Sequence, residues 1–465
     1  MATTEIATGQ TGAVIDEVAA LPLGDLPADA ATVARQCMLD WLGCTLAGSR
    51  EPLAEILATE LAAGDGGEGG DGGEDRERGE STIVGRRGRV AALTAAVVNG
   101  AASHALDYDD THLAMSGHPT VPVAPAVLAL GERLGATGAE VLAAFVAGVE
   151  TECRVGMLVN PGHYAAGWHA TATLGTFGAA AAAAHLLGLD RGRRLHALGI
   201  AGTEAAGVKG VFGTMCKPLH AGRAAQAGLL AAMLAARGFT SSTEILEAHQ
   251  GFGATHTNEV APAGDLERVR GRLLVRDTLF KHHAACYLTH AAIEGAAELV
   301  RNHGLGGARE VAEVRVVVHP SCMDVCAISE PATGLEGKFS LRATVAMALL
   351  GDDTADPEAY TDERMRSPEL VAVRDRVTVD PVGTAPPTVA TVHVRLENGD
   401  EFQATADTGR PAEDLARQGR RLDAKFRALA GPVVGSERAA GIAGMVEGLD
   451  ELASVRELMA LCRPE

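Results

Sequence analysis

The sequence predicts a mainly α protein with a second, smaller α+β domain. Three observations carry this. Residues 12–63 and 90–265 are helical text, Ala-rich over most of their length. Short β-branched runs begin only after residue 266, and helical spacing returns from Pro411 to Cys462. The expected division is a helical domain at 1–265, completed by 408–465, with the α+β domain at 266–407 inserted between.

Taken in order, Ala31 to Leu46 places Val33, Cys37, Leu39, Trp41 and Leu42 at helical spacing. Residues 64–80, GDGGEGGDGGEDRERGE, hold glycine and charge and nothing apolar, so a solvated, disordered loop is expected. Helices are expected at Val90–His104, Pro122–Leu134, Ala139–Leu158, Ala170–Leu187 and Gly222–Arg237, with stops at 188–190 and 237–239. Beyond 266, Leu273–Val275, Val314–Val318, Val377–Val379 and Val389–Leu396 predict strands. Glu397-Asn398-Gly399-Asp400 predicts a hairpin turn. Helical patterns persist between them at Leu288–Asn302 and Ser340–Leu350. There is no internal repeat.

Composition bounds the function. Hydrophobic residues make up 47% of the chain but aromatics only 3%, so the cores must be built from Ala, Leu, Val and Gly, and their helices can approach closely. A formal net charge of −20 argues against nucleic-acid binding, which needs a basic surface. The same charge means that any anionic substrate needs locally clustered cations. Eight cysteines without a CxxC pair fit a reduced compartment rather than a disulfide scaffold. The N-terminus has no basic, apolar leader pattern, and the apolar run from Ala170 to Leu189 is mostly Ala and Gly, reading as a buried helix rather than a membrane span. A cytoplasmic protein without membrane or nucleic-acid partners is expected.

Four stretches hold residues able to carry chemistry. His104-Ala-Leu-Asp107-Tyr108-Asp109-Asp110-Thr111-His112, followed by Gly117-His118-Pro119, gathers carboxylates, imidazoles and hydroxyls at a helix end. It reads as catalytic, metal-binding or simply solvated. Gly167-Trp168-His169 sets a histidine where helix amides face outward and favour anions; the alternative is a capping or core histidine. Lys217 and Arg223 flank a helix start, an anion-binding arrangement unless they are ordinary surface cations. Phe280-Lys281-His282-His283 leads to Cys286 and His290, where packing histidines are the plainer reading of the pair. No HExxH, DxDxDG or CxxC set appears, so no metal is expected, and no nucleotide fingerprint is present.

These stretches, in this order, resemble the MmgE/PrpD family, which includes 2-methylcitrate dehydratase, cis-aconitate decarboxylase and iminodisuccinate epimerase. The matching phrases are NGAASHALDYDDTH, SGHP, GWHATATLGTFGAAAAAA, GTMCKPLHAGRAAQAGLLAA, FKHHAACYLTH and EGKFSL, spanning residues 99 to 341. The resemblance implies a large all-helical domain, a smaller α+β lid, a homodimer, and an active site between the domains that works without metal or organic cofactor. It implies that Asp107 and Thr111 line the site with His118 close by, joined by His169, Lys217 and Lys281. Three features depart from the pattern: Glu294 and Arg342 stand where Asp and Pro are common, and the 64–80 loop is long. Cys286 stands about where some decarboxylases of the family have His, which argues against that activity.

The chemistry agrees with the resemblance. Removing a proton beside a carboxylate builds negative charge that Lys217 and Lys281 can neutralise, while His118 or His169 moves the proton. The expected activity is a hydro-lyase acting on a 2-methylcitrate-like hydroxy-polycarboxylate. The alternatives are a cis-aconitate-type decarboxylase, an epimerase of a small dicarboxylate, and a homologue without catalysis.

Overall fold

The computed structural model describes residues 9–62, 79–305, 311–382 and 384–464. The acidic glycine run at 64–80 falls, up to residue 78, outside the described residues. The chain divides into two compact units. One holds residues up to 105, 109–278 and 413 onward; the other holds 106–108 and 279–412.

The first unit is helical around one apolar rod. The helix Ala170–Leu186 is buried along almost its whole length and packs against Gly138–Val159, Thr120–Leu134 and Cys216–Ala236. A helix that is apolar all round belongs in an interior. Its residues are small, so the packing depends on close backbone approach rather than on bulky side chains. The crossing of Ala92–Ser103 with Cys216–Ala236 shows why: a Cβ on Gly222 would lie 2.1 Å from the Val97 carbonyl oxygen. Any side chain there would have to push the helices apart, at roughly 1–3 kcal/mol or more. A Thr137–Glu140 capping box starts Gly138–Val159, and left-handed Gly135 ends Thr120–Leu134. Strands β1 (Ser81–Thr82) and β2 (Arg89–Val90) form a small antiparallel hairpin.

The C-terminal helices return to this unit. Leu415–Val434 packs along Ala28–Gly48, and Val455–Leu461 packs on Thr120–Leu134. Lys425 Nζ lies 2.6 Å from Asp40 Oδ1 with both side chains buried, and Gln418 Nε2 donates to Gln36 Oε1 at 2.8 Å.

One expected strand is absent. Leu273–Val275 enters a 3₁₀ turn at Leu274–Asp277. Side chains of the helical unit take its backbone groups: the Val275 amide donates to Glu150 Oε1 at 2.8 Å, and His112 Nε2 lies 2.8 Å from the Leu274 carbonyl oxygen. With those groups satisfied, the segment needs no sheet neighbour.

The second unit is α+β. Strands β3 (Val311–Val317), β4 (Val377–Asp380), β5 (Val389–Leu396) and β6 (Glu401–Asp407) form one sheet in the order β4-β3-β5-β6. β3 pairs parallel with β4, Val314 opposite Val377; the other pairings are antiparallel. Along β5, Ala390, Val392, Val394 and Leu396 are buried, the period of two of a half-covered strand. The β5–β6 turn falls at 397–400 with Gly399 at φ +92°, where glycine carries no Cβ penalty. The helix Tyr287–His303 packs on β5, β6 and the helix Leu341–Leu350. Among the described residues, no helix is long and apolar enough to cross a membrane.

Candidate active site

In the helical unit, the chain leaves Ala92–Ser103 at His104, its C-cap, and re-enters helix at Thr120. Between them, the carboxylate of Asp109, 1% exposed, sits against two imidazoles. His104 Nδ1 lies 2.9 and 3.0 Å from its two oxygens, and His118 Nδ1 lies 2.8 Å from Oδ2. His118 Nδ1 is also 2.8 Å from the Asp110 carbonyl oxygen, while the His118 amide donates to Thr171 Oγ1 at 3.1 Å. The second bond ties His118 to the first turn of the central helix. The Asp110 side chain accepts from the hydroxyl and amide of Thr120.

His169 is the N-cap of that central helix, and its amide donates to the Gly207 carbonyl at 3.0 Å. Its ring lies 5.9 Å from the ring of His104, which is 4.5 Å from that of His118. On the other side, Nδ1 of His169 is 3.0 Å from Nδ1 of His220. Gly207, at φ +140°, permits this approach: a Cβ there would meet Ala172 at 2.5 Å and His220 Nδ1 at 3.2 Å. Lys217, half-buried, stands in the first turn of Cys216–Ala236, its Nζ 5.5 Å from the centre of the Phe212 ring, which itself meets His169 edge-on. That helix begins six residues earlier than the sequence pattern suggested, which brings Lys217 into its first turn and leaves Arg223 on the exposed surface.

The electrostatics follow from burial and one cation. Burial pushes His104 down to about 4; Lys217 and His118 add to this, against the pull of Asp109. Burial, then His104 and Lys217, put His169 well below the ordinary imidazole value, and burial with Lys217 lowers His220. Burial alone would raise Asp109, but His104 and His118 hold it well below the usual carboxylate range. Its neighbour Asp110 goes the other way, to about 8, because of burial and the nearby Asp40 charge. The result is a fixed anion beside imidazoles, three of which are kept neutral.

In the α+β unit, Lys281 is buried and its Nζ lies 2.9 Å from Asp107 Oδ1 and 2.6 Å from the Asp107 carbonyl oxygen. Asp107 has φ +50°, a left-handed conformation that aspartate tolerates better than most residues. His283 bonds Thr354 Oγ1 at 2.8 Å and Glu294 Oε1 at 3.3 Å, a packing role for one of the paired histidines. The Cys286 thiol is lowered below its usual value by a hydrogen bond with Cys326, against its burial.

Of the residues singled out from sequence, the structure thus gathers His118, His169 and Lys217 in the helical unit. Thr111 is buried there directly after Asp110. Lys281 and Asp107 sit in the other unit as an ion pair with each other. His104, Asp109 and His220 were in the quoted phrases but had no assigned role. The signal for the first two is the His-x₄-Asp spacing across a helix end. Nothing local marks His220, which only the folded chain brings to His169. His104, Asp109 and His118 also bring ligand atoms within 4.8 Å of one another, and a divalent cation would compete for the same atoms that form the hydrogen bonds.

Comparison with known proteins bears on this arrangement. The MmgE/PrpD N-terminal domain matches residues 14–263, and the MmgE/PrpD C-terminal domain matches residues 283–451. The cis-aconitate decarboxylase of Mus musculus is 30% identical over 82% of this chain and 81% of its own length; that of Homo sapiens is 29% identical over 81% and 80%. The cis-aconitate decarboxylase of Aspergillus terreus is 26% identical over 98% of this chain and 96% of its own. With both domain types matched in order across most of its length, the chain belongs to the MmgE/PrpD family.

Proposed function

We propose that this chain is a lyase that decarboxylates a small unsaturated polycarboxylate of the cis-aconitate type, rather than the hydro-lyase expected from sequence. The observation that supports it is the grouping of His104, His118, His169 and Lys217 in one unit of a chain whose relatives, over four-fifths of their length, are cis-aconitate decarboxylases. In this reading the bond from carbon to one carboxylate breaks and CO₂ leaves. The electron pair stays on the substrate, delocalised over the double bond and a remaining carboxylate. Lys217 neutralises that charge at a helix N-terminus, where amide dipoles act in the same sense. An imidazolium N–H protonates the carbon, and solvent returns the proton to the ring. With a net charge of −20, such a local cation is what lets a polyanion bind.

The test is to supply cis-aconitate and measure released CO₂, and separately to supply 2-methylcitrate and follow ultraviolet absorbance from a new conjugated alkene. CO₂ release supports the proposal; absorbance growth without CO₂ release overturns it in favour of the hydro-lyase. The mechanism uses no metal. Dialysis against a strong chelator should leave turnover intact, and loss restored by Zn²⁺, Mg²⁺ or Fe²⁺ would overturn that part.

A further inference from the structure

We propose that Cys286 and Cys326 form a dithiol that hydrogen peroxide converts to a disulfide, with Cys286 as the attacking sulfur and Cys326 as the resolving one. Both lie in the α+β unit, and their chemistry is independent of the decarboxylase reading.

Backbone contacts with one turn bring the two sulfurs together. The Cys286 amide donates to the Lys338 carbonyl at 2.9 Å, and the Leu341 amide donates to the Cys326 carbonyl at 3.3 Å. Ala327 forms an antiparallel bridge with Ser340 between those contacts. Two cysteines far apart in sequence therefore flank residues 338–341, and their thiols meet in a hydrogen bond. Cys322 is a neighbour, since the Cys326 amide donates to its carbonyl at 2.8 Å. Its own thiol is engaged elsewhere, donating to the Pro387 carbonyl at 3.5 Å.

The thiol–thiol hydrogen bond has a direction. Cys286 is the N-cap of the helix Tyr287–His303, where the backbone amides favour an anion. The hydrogen bond from Cys326 lowers the Cys286 thiol, and the Lys281 charge and the Leu288 amide act in the same sense, against burial and Asp107. Cys326 is raised well above its ordinary value, first by that same bond and then by burial. Cys286 therefore gives up its proton first while Cys326 keeps its own, as an attacking and a resolving thiol require. Burial raises Cys37, Cys44, Cys153, Cys322 and Cys462, which makes them poor nucleophiles. Cys286 is 9% exposed and Cys326 1%, which favours a small oxidant over a bulky disulfide.

The step balances with peroxide as the oxidant. The Cys286 thiolate attacks one peroxide oxygen, the O–O bond breaks, hydroxide leaves and a sulfenic acid remains. The Cys326 sulfur then attacks that sulfur, the S–O bond breaks and a second hydroxide leaves. The two hydroxides take up the two protons that the thiols release. Two electrons pass from sulfur to oxygen, so two thiols and one peroxide give one disulfide and two waters.

The experiment treats the full chain with hydrogen peroxide, then alkylates the remaining thiols under denaturing conditions and reads masses. The expected wild-type result is a loss of about 2 Da before alkylation, a linked peptide pair holding Cys286 and Cys326, and reversal by a dithiol reductant. Oxidised glutathione should leave both cysteines alkylatable. In Cys326→Ser, Cys286 should stop at the sulfenic acid and be trapped by dimedone. In Cys286→Ser, Cys326 should remain a thiol. Peroxide that oxidises only the exposed Cys216 would overturn the proposal, as would a disulfide from Cys286 to Cys322; neither result needs a variant to fold. Dimedone trapping at Cys326 rather than Cys286 would overturn the assignment of roles.

Discussion

The Nδ1 atoms of His169 and His220 lie 3.0 Å apart, so one ring donates to the other. Two neutral imidazoles meeting through the same nitrogen must hold opposite tautomers. If His169 takes part in turnover, His220 sets which of its nitrogens is free. His220→Leu should lower kcat roughly 10- to 100-fold, the range typical for losing a partner that orients a reacting ring. Steady-state kinetics checks this, and an unchanged kcat would make His220 a packing residue.

The two candidate proton-transfer rings differ in surroundings, and substitution should separate them. His118 contacts a buried anion, whereas His169 is surrounded by imidazoles and the Lys217 charge. His118→Gln should lower turnover by about 10²–10⁴-fold. His169→Gln should act less on kcat and more on KM if that ring chiefly binds. Full turnover in both variants would reduce the histidines to structural roles.

Lys217→Ala should weaken both substrate binding and rate, by roughly 2–5 kcal/mol in kcat/KM if its charge pairs with a desolvated carboxylate. Lys217→Arg should recover part of the binding. Kinetics for all three proteins on the same acid decides the matter; equal kcat/KM values would remove Lys217 from the site.

Stability should depend on pH in two opposed ways. His104 and His163 are pushed from 6.5 down to about 4 by burial, so between those values the folded chain binds fewer protons than the unfolded one. Their contribution is complete above about pH 6.5 and is lost as pH falls toward 4. Asp110, raised from 3.8 to about 8, keeps a proton that the unfolded chain releases, so its contribution is lost as pH rises through that range. Denaturant midpoints measured from pH 4 to 8 should therefore fall on the acid side. They should also rise on the neutral side in Asp110→Asn relative to wild type. A flat wild-type profile between pH 4 and 6.5 would contradict this account.

Lys425 joins the last long helix to Asp40 in a buried pair. Lys425→Met removes the cation from that buried aspartate and should cost about 3–5 kcal/mol, read as a lower unfolding midpoint. Adding Asp40→Leu should recover most of the loss, because replacing both ions with apolar groups is often nearly neutral. A double variant no more stable than the single one would mean that packing, not charge, was lost.

Much of the fold was legible because it rests on local periodicity. The Ala170–Leu186 helix was read one residue too long, and the β5 strand was read with both ends correct. Gly188 and Gly399 punctuate as expected because their left-handed backbone is a local property. Leu273–Val275 failed because its pattern is right for a strand, while Glu150 and His112, more than a hundred residues away, satisfy its backbone instead.

The sequence by itself determined the helical text, the switch to short strands, and the phrases that carry His118, His169, Lys217, Lys281, Asp107 and Thr111. Tertiary structure alone decided how those side chains are partnered. It set Lys281 on Asp107, and it brought His104 and His118 together at the carboxylate of Asp109. The physical reason is reach. Periodicity reports which face of an element is apolar, whereas the proton inventory of an imidazole depends on an acceptor within about 3 Å. Whether such an acceptor arrives depends on how a loop closes and which helices approach, and no residue's identity encodes that alone.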